Sequence, residues 1–255
     1  MLELKSGYEI AAMREAGRVV ARALAAMREA AVVGARLTDL DAAGARVLAD
    51  AGATSPFLDY HPSWAPVPFP ASVCISVNDA VVHGIPTDRR LGDGDLVSLD
   101  FGATLSGWCG DAAVSFVVGE ASPADTALIE TTQRALDAGI AAARPGNRLG
   151  DVAYAVGEVA RAGGYGLLAD HGGHGIGRTM HEQPFVPNEG PPGRGLKLRP
   201  GLVLAIEPML HAGGEDGYVT DPDGWTLRTA DGSRAAHIEH SVAVTKDGPV
   251  VLTLP

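Results

Sequence analysis

The amino-acid sequence predicts an α+β fold of two halves related by a pseudo-two-fold axis, with a central antiparallel-rich sheet and helices on its outer face. Two observations predict it. First, the order helix, helix, strands occurs twice, over about 7–119 and about 120–250. Second, the two stretches match in order. Arg22-Ala23-Leu24 matches Arg134-Ala135-Leu136, and Gly34-x-Arg36-Leu37-x-Asp39 matches Gly146-x-Arg148-Leu149-x-Asp151 at the same offset. Further on, His83-Gly84-Ile85 echoes His174-Gly175-Ile176, and Gly94-x5-Asp100 echoes Gly201-x5-Glu207. Four matches in one order point to an internal duplication within a single domain, 1–255. The alternative is coincidence in a chain rich in Ala and Gly. In a duplicated fold the echoed acids would meet at the centre.

Taken in order, residues 7–30 place Ile10, Met13, Val20, Leu24 and Met27 at three- and four-residue spacing, the pattern of an amphipathic helix. Residues 38–51 form a second helix, with Thr38 as N-cap and Asp41 three residues on. The segment 54–70 carries five prolines and must be irregular. Strand-like runs follow at 72–78, 95–105 and 111–119, separated by turn-rich sequence. Ser122 and Pro123 open a helix over 122–143 as N-cap and first position. Another helix spans about 149–162 and ends at Gly163-Gly164. HGGHGIGRTMHEQP follows at 171–184, then a Pro/Gly-rich loop to 201. Strands at 202–210 and 235–245 flank a hairpin-like DPDGWTLRTADGS.

A net charge of −11 with no basic cluster argues against a nucleic-acid-binding face. Two cysteines, Cys74 and Cys109, make no disulfide framework and fit a reducing compartment. No apolar run reaches the roughly 18 residues of a membrane helix, and the first residues lack an apolar signal-peptide core. The expectation is a cytoplasmic protein with no membrane partner.

The informative residues are charged groups inside apolar strands. Asp100 sits in LVSLDFG, Asp111 opens DAAVSFVV, Glu207 ends LVLAIE and Glu239 interrupts AAHIEHSVAV. These strands hold no Arg or Lys. A carboxylate in a strand core costs several kcal/mol unless paired or metal-bound. Four of them, with a Gly-flanked His174, could not all ionise together. One or two divalent cations resolve that. A mostly carboxylate set with an imidazole suits Mn, Fe, Co or Zn, and five ligands fit two ions roughly 3.5–4 Å apart.

Quoted in order, VNDAVVHGIP, SLDFGATLSGWCGD, GGHGIGRTMHEQP, LAIEPM and HIEHSVAVT resemble the signature blocks of type I methionine aminopeptidases, family M24, whose fold is the pita-bread (creatinase-like) one. The resemblance runs from the first helix to the last strand. It implies two divalent ions per chain (Co, Mn, Fe or Zn) and removal of the N-terminal methionine from nascent proteins and peptides, preferably before a small residue, by metal-activated water attack on the first peptide bond. Carried over, Asp100 chelates one ion, Asp111 and Glu239 bridge both, and His174 and Glu207 complete the other. Glu207 is also the general base or proton shuttle. His181 stabilises the tetrahedral intermediate, and His83 lies near the substrate amine or scissile amide. Partners would be Met-led polypeptides, with a transient ribosome contact; no Cys/His zinc-finger extension is expected before the first helix, and a monomer is the default.

The resemblance loosens at the side-chain pocket. Cys74 and Trp225 stand at the family's pocket positions, Phe69 and Pro66 replace common tyrosines, and Met180 precedes His181 where an aromatic is usual. Cys74 reads equally as a small buried apolar residue. Phe57, Tyr60 and Trp64 of the proline-rich loop could complete the wall or simply pack the core. Two alternatives stand beside this reading: an Xaa-Pro aminopeptidase or dipeptidase of the same fold, and a non-catalytic pita-bread module. A creatinase-like metal-free hydrolase is disfavoured by the complete ligand set.

Overall fold

The structure, a computed structural model, describes residues 3–255. Its elements in chain order are α1 (Gly7–Ala30), α2 (Leu37–Ala51), β1 (Cys74–Val77), β2 (Ala80–Val82), β3 (Leu96–Leu105), β4 (Trp108–Val117), α3 (Pro123–Ala142) and α4 (Leu149–Ala162). There follow β5 (Gly166–Leu167), β6 (Gly172–Gly175), β7 (Glu182–Pro187), β8 (Val203–Ile206), β9 (Met209–His211), β10 (Tyr218–Thr220), β11 (Leu227–Thr229), β12 (Ala235–His237), β13 (Glu239–Thr245) and β14 (Gly248–Val251).

The helices form where the apolar period predicts them. α1 buries Met13, Val20, Leu24 and Met27, and its first turn closes with a capping box between Ser6 and Glu9. Ser122 caps α3, with Pro123 at its first position. One cap differs from expectation. α2 begins at Leu37, and its N-cap is Arg36, whose backbone N–H donates to the Asp39 carboxylate at 3.1 Å. Thr38 instead turns its hydroxyl to Asp88 at 3.4 Å. α4 repeats the device: the Arg148 N–H donates to Asp151 at 2.7 Å. The preceding turns correspond too, with Gly34 at φ +89° and Gly146 at φ +96°. An isolated bridge joins Arg36 to Arg90 in one half and Arg148 to Lys197 in the other.

The main sheet has eight strands in the order β1-β3-β4-β13-β8-β6-β7, with β14 beside β13, and every registered pair is antiparallel. Two three-stranded sheets, β10-β11-β2 and β12-β9-β5, supplement it. The second of these exists because two expected strands are broken. The run 202–210 divides between β8 and β9 at Glu207-Pro208, and the run 235–245 divides between β12 and β13 at Ile238. Proline lacks the N–H that a continuous ladder needs. The expected loop over 184–201 also starts later, because β7 runs on to Pro187.

α1 and α2 pack on β3 and β4 through Val20, Met27, Leu40, Leu99 and Phe101. α3 and α4 pack on β8 and β13 through Leu136, Val152, Val156, Leu204 and Val242. Close approach of α1 to the sheet rests on two glycines. A Cβ on Gly110 of β4 would come within 2.8 Å of the Gly17 nitrogen, and one on Gly17 would strike the Leu252 carbonyl. The sheet's other face is left to the functional site. No helix among the described residues is long and apolar enough to cross a membrane.

Candidate metal centre and its pocket

Strand register brings the acids together. Cys74 pairs with Asp100, Asp100 with Ala113, and Ala113 with Glu239. Residues opposite one another in a ladder share a face, so these four form one row across β1, β3, β4 and β13. Asp111 lies two residues before Ala113 and therefore on the same face. His240 pairs with Ile206, which puts Glu207 beside Glu239 at the end of β8. β6 reaches the edge of this group through Gly175, which pairs with Leu204, and presents His174. Ala113 is the smallest residue in the row, and it leaves room above the sheet.

The acids and imidazoles meet at short range. The His174 Nε2 lies 3.7 Å from Asp111 Oδ2 and 3.6 Å from Glu207 Oε1. Asp111, His174 and Glu239 each offer a ligand atom within 4.8 Å of one another. So do Glu207, His237 and Glu239, and Glu239 is common to both groups. The His174 Nδ1 lies 2.9 Å from the Gly175 carbonyl, which leaves Nε2 free to face the acids. Backbones are pinned from outside: Ser241 Oγ bonds the N–H and carbonyl of Asp111, and the Asn188 amide donates to the Glu207 carbonyl at 3.0 Å.

Buried polar atoms without partners are rare, yet Asp100 Oδ1, Asp111 Oδ1, Glu239 Oε1 and His237 Nε2 are all buried and unpartnered. Burial raises all four carboxyls: Asp100 to about 7, Glu207 to about 8, and Asp111 and Glu239 well above the carboxylate range, the last two helped by neighbouring acids. Burial also lowers the imidazoles, His174 and His83 to about 3. The orphaned oxygens and the neutral imidazoles form a donor set that divalent ions of the manganese-to-zinc series fit.

A pH prediction follows for protein held in chelator. Above 6.5, the ordinary imidazole value, the folded histidines are neutral and the unfolded ones are mostly so. The acids are then ionised when unfolded, while folded Asp100 and Glu207 hold protons up to about 7 and about 8. The native state binds more protons, so stability falls as pH rises from about 6.5 to about 8. The melting temperature should drop over this window, and saturating Mn or Co should raise it more at the upper end. A melting temperature that climbs with pH in chelator would contradict this account.

Above the acids lies a cavity of about 290 Å³. Asp100, Asp111, His174, Glu207 and Glu239 form its polar end, and His83, His181, Cys74, Phe69 and Trp225 all line it. Phe57, Tyr60 and Trp64 come in from the proline-rich loop. The loop is tied down by Trp225, whose indole N–H donates to the Val67 carbonyl at 3.0 Å, with Phe69 and Trp64 packed edge-on against it. His83 is half-buried with φ +59°, a left-handed conformation costly for a non-glycine residue and common at functional sites. The ring of His181 lies 4.4 Å from that of His174 and 5.4 Å from that of Tyr60.

Met180 departs from the expected placement. It does not line this cavity. Its buried side chain packs behind the wall, and its Cε would meet a Cβ on Gly102 at 2.7 Å. His181 and Met180 are adjacent in sequence, and His181 takes the inward direction. The wall there is made by Phe57 and Tyr60 instead. The sequence reading also passes over His237, His171, Phe185 and Met209, all of which line the cavity. His237 carried a signal, since it stands two residues before Glu239 in a strand-like run.

Comparison with known proteins gives a consistent picture. The family model for metallopeptidase family M24 matches residues 11–246. The chain is 54% identical to methionine aminopeptidase 1 of Mycobacterium tuberculosis, covering 98% of this chain and 94% of that protein. It is 44% identical to the methionine aminopeptidase of Aquifex aeolicus, covering 99% and 98%. The crystal structure of the Thermotoga maritima methionine aminopeptidase superposes with a TM-score of 0.95 at 38% identity, covering all of both chains. Prolidase from Pyrococcus furiosus shares the fold at TM-score 0.76 and 24% identity, and this chain covers 65% of it. With the pita-bread architecture, the row of acids and these full-length similarities in place, the chain belongs to metallopeptidase family M24, among its methionine aminopeptidases.

Proposed function

We propose that the protein is a metal-dependent methionyl aminopeptidase that removes the N-terminal methionine from nascent proteins and peptides, preferring a small second residue. The observation that carries this reading is the set of buried acids and imidazoles at one end of a cavity whose other walls are Cys74, Phe69, Trp225, Tyr60 and Trp64. An unbranched thioether side chain suits such walls, because sulfur packs well against aromatic rings.

In this reading Asp100, Asp111, His174, Glu207 and Glu239 would hold two divalent ions of the Mn, Fe, Co or Zn class. When bound, the ions supply Lewis acidity, which lowers the pKa of water and polarises a carbonyl. The chain's own groups do the rest. Glu207, at the polar end of the cavity, is placed to take up a proton during the reaction and pass it to the leaving amine. His181, kept neutral by burial, donates a hydrogen bond to the substrate carbonyl oxygen as charge develops there. His83, fixed between Trp64 and Trp225, faces the substrate amine or scissile amide. The aromatic walls exclude water and orient the first residue. The two corresponding halves fit an internal duplication, about 7–119 and about 120–250. We further propose a cytoplasmic monomer acting on Met-led chains, with transient contact at the ribosome.

A peptide panel tests the reading. With Mn or Co added and metal content measured on the same sample, Met-Gly-type peptides should be cleaved and Xaa-Pro peptides should not. The opposite preference would assign the protein to the Xaa-Pro peptidases. No cleavage of either, with no bound metal, would favour a non-catalytic module.

A further inference from the structure

Among the side chains at the metal centre, His237 is not accounted for by the five ligands named above. It ends β12, is 1% exposed, and has no partner for its Nε2. That atom lies 3.5 Å from Glu207 Oε2 and 3.9 Å from Glu239 Oε2. Neither separation makes a hydrogen bond. Both are close to the roughly 3–3.5 Å that separates donor atoms sharing one ion when metal–ligand bonds are about 2.0–2.2 Å. The backbone of His237 is also held in place. The His237 N–H donates to Ser115 Oγ at 3.0 Å, and the same hydroxyl donates to the His237 carbonyl at 2.7 Å. Ser98 Oγ, 2.8 Å from Ser115 Oγ, completes this support. These bonds fix the backbone from which the ring projects toward Glu207 and Glu239.

We infer that His237 is a sixth protein ligand, its Nε2 joining Glu207 and Glu239 around one of the two ions. The inference rests on the metallopeptidase reading above. It gives the centre two imidazoles, His174 and His237, in place of one. A second nitrogen donor tilts selectivity toward zinc and cobalt and away from manganese, which prefers oxygen.

Long-range proton–nitrogen correlation spectra of the histidine rings test it directly in the zinc-loaded, full-length protein. Two imidazoles should move to the metal-bound nitrogen position on loading, and one of the two should vanish in His237→Gln. In the same variant zinc affinity should fall at least about tenfold, with a smaller loss for manganese. If only one imidazole binds while zinc loading is complete, His237 is not a ligand and the metallopeptidase reading stands. If zinc does not bind at all, both fail. Because the count is made on the unmutated protein, poor folding of the variant cannot obscure the result.

Discussion

Replacing Glu239 by alanine is expected to abolish peptide hydrolysis and to lower the metal content of the purified protein. Glu239 is 1% exposed, and it alone belongs to both clusters of ligand atoms. Its neighbours are acids, Asp111 first among them, and they raise its carboxyl beyond what burial does. In the proposed two-ion centre, removing it would take a ligand atom from both clusters. Metal-ion stabilisation of a developing charge is worth several kcal/mol, so kcat/KM should fall on the order of a thousandfold or more. Asp111→Ala should behave alike. The metal-free variants should stay folded, because each loses a buried carboxyl oxygen that has no hydrogen-bond partner. Metal analysis, circular dichroism and turnover on one sample decide the matter. Near-wild-type turnover in either variant would sink the two-ion centre.

His181→Ala should give the opposite dissociation of effects: kcat falls and the metal stays. His181 has no ligand atom in either metal cluster. Its ring lines the cavity against Tyr60, and burial keeps it neutral, so one ring nitrogen carries a proton to donate. Loss of one such donor to a developing oxyanion costs on the order of 10²–10³ in kcat. KM should change much less, since the bond strengthens only as charge builds. An unchanged kcat would remove His181 from transition-state stabilisation. Loss of metal along with activity would make it a ligand instead.

The acids of the centre were legible in the sequence because they break a rule. Asp100 and Glu239 interrupt apolar runs that contain no cation, and burial without a partner is costly enough to make such a break informative. The helices were legible for a similar reason, since a 3.6-residue period needs no knowledge of what lies opposite. Met180 was not legible. It follows Gly177-Arg178-Thr179 in a turn, and no period says which of Met180 and His181 faces the cavity. His237 was obscured by the break at Ile238, which ends one strand and begins another inside an unbroken apolar pattern. The cavity walls assemble from the proline-rich loop and the Trp225 turn, about 160 residues apart in the chain. A hydrogen bond from Trp225 to Val67 joins them, and such meetings are fixed by tertiary packing rather than by local sequence.

The row from Cys74 through Asp100 and Ala113 to Glu239 is a reading frame as much as a ligand set. Its members share a face because each is paired directly opposite the next across neighbouring strands. Adding or deleting one residue within β3, β4 or β13 would turn the following side chains to the helix-covered face. A carboxylate would then be driven into the packing of Phe101 and Leu99, and an apolar residue would be presented to the ions. Length changes compatible with this centre therefore belong in the turns, or come in pairs within a strand. Relatives that differ in length should carry their insertions outside these three strands, whatever their overall identity.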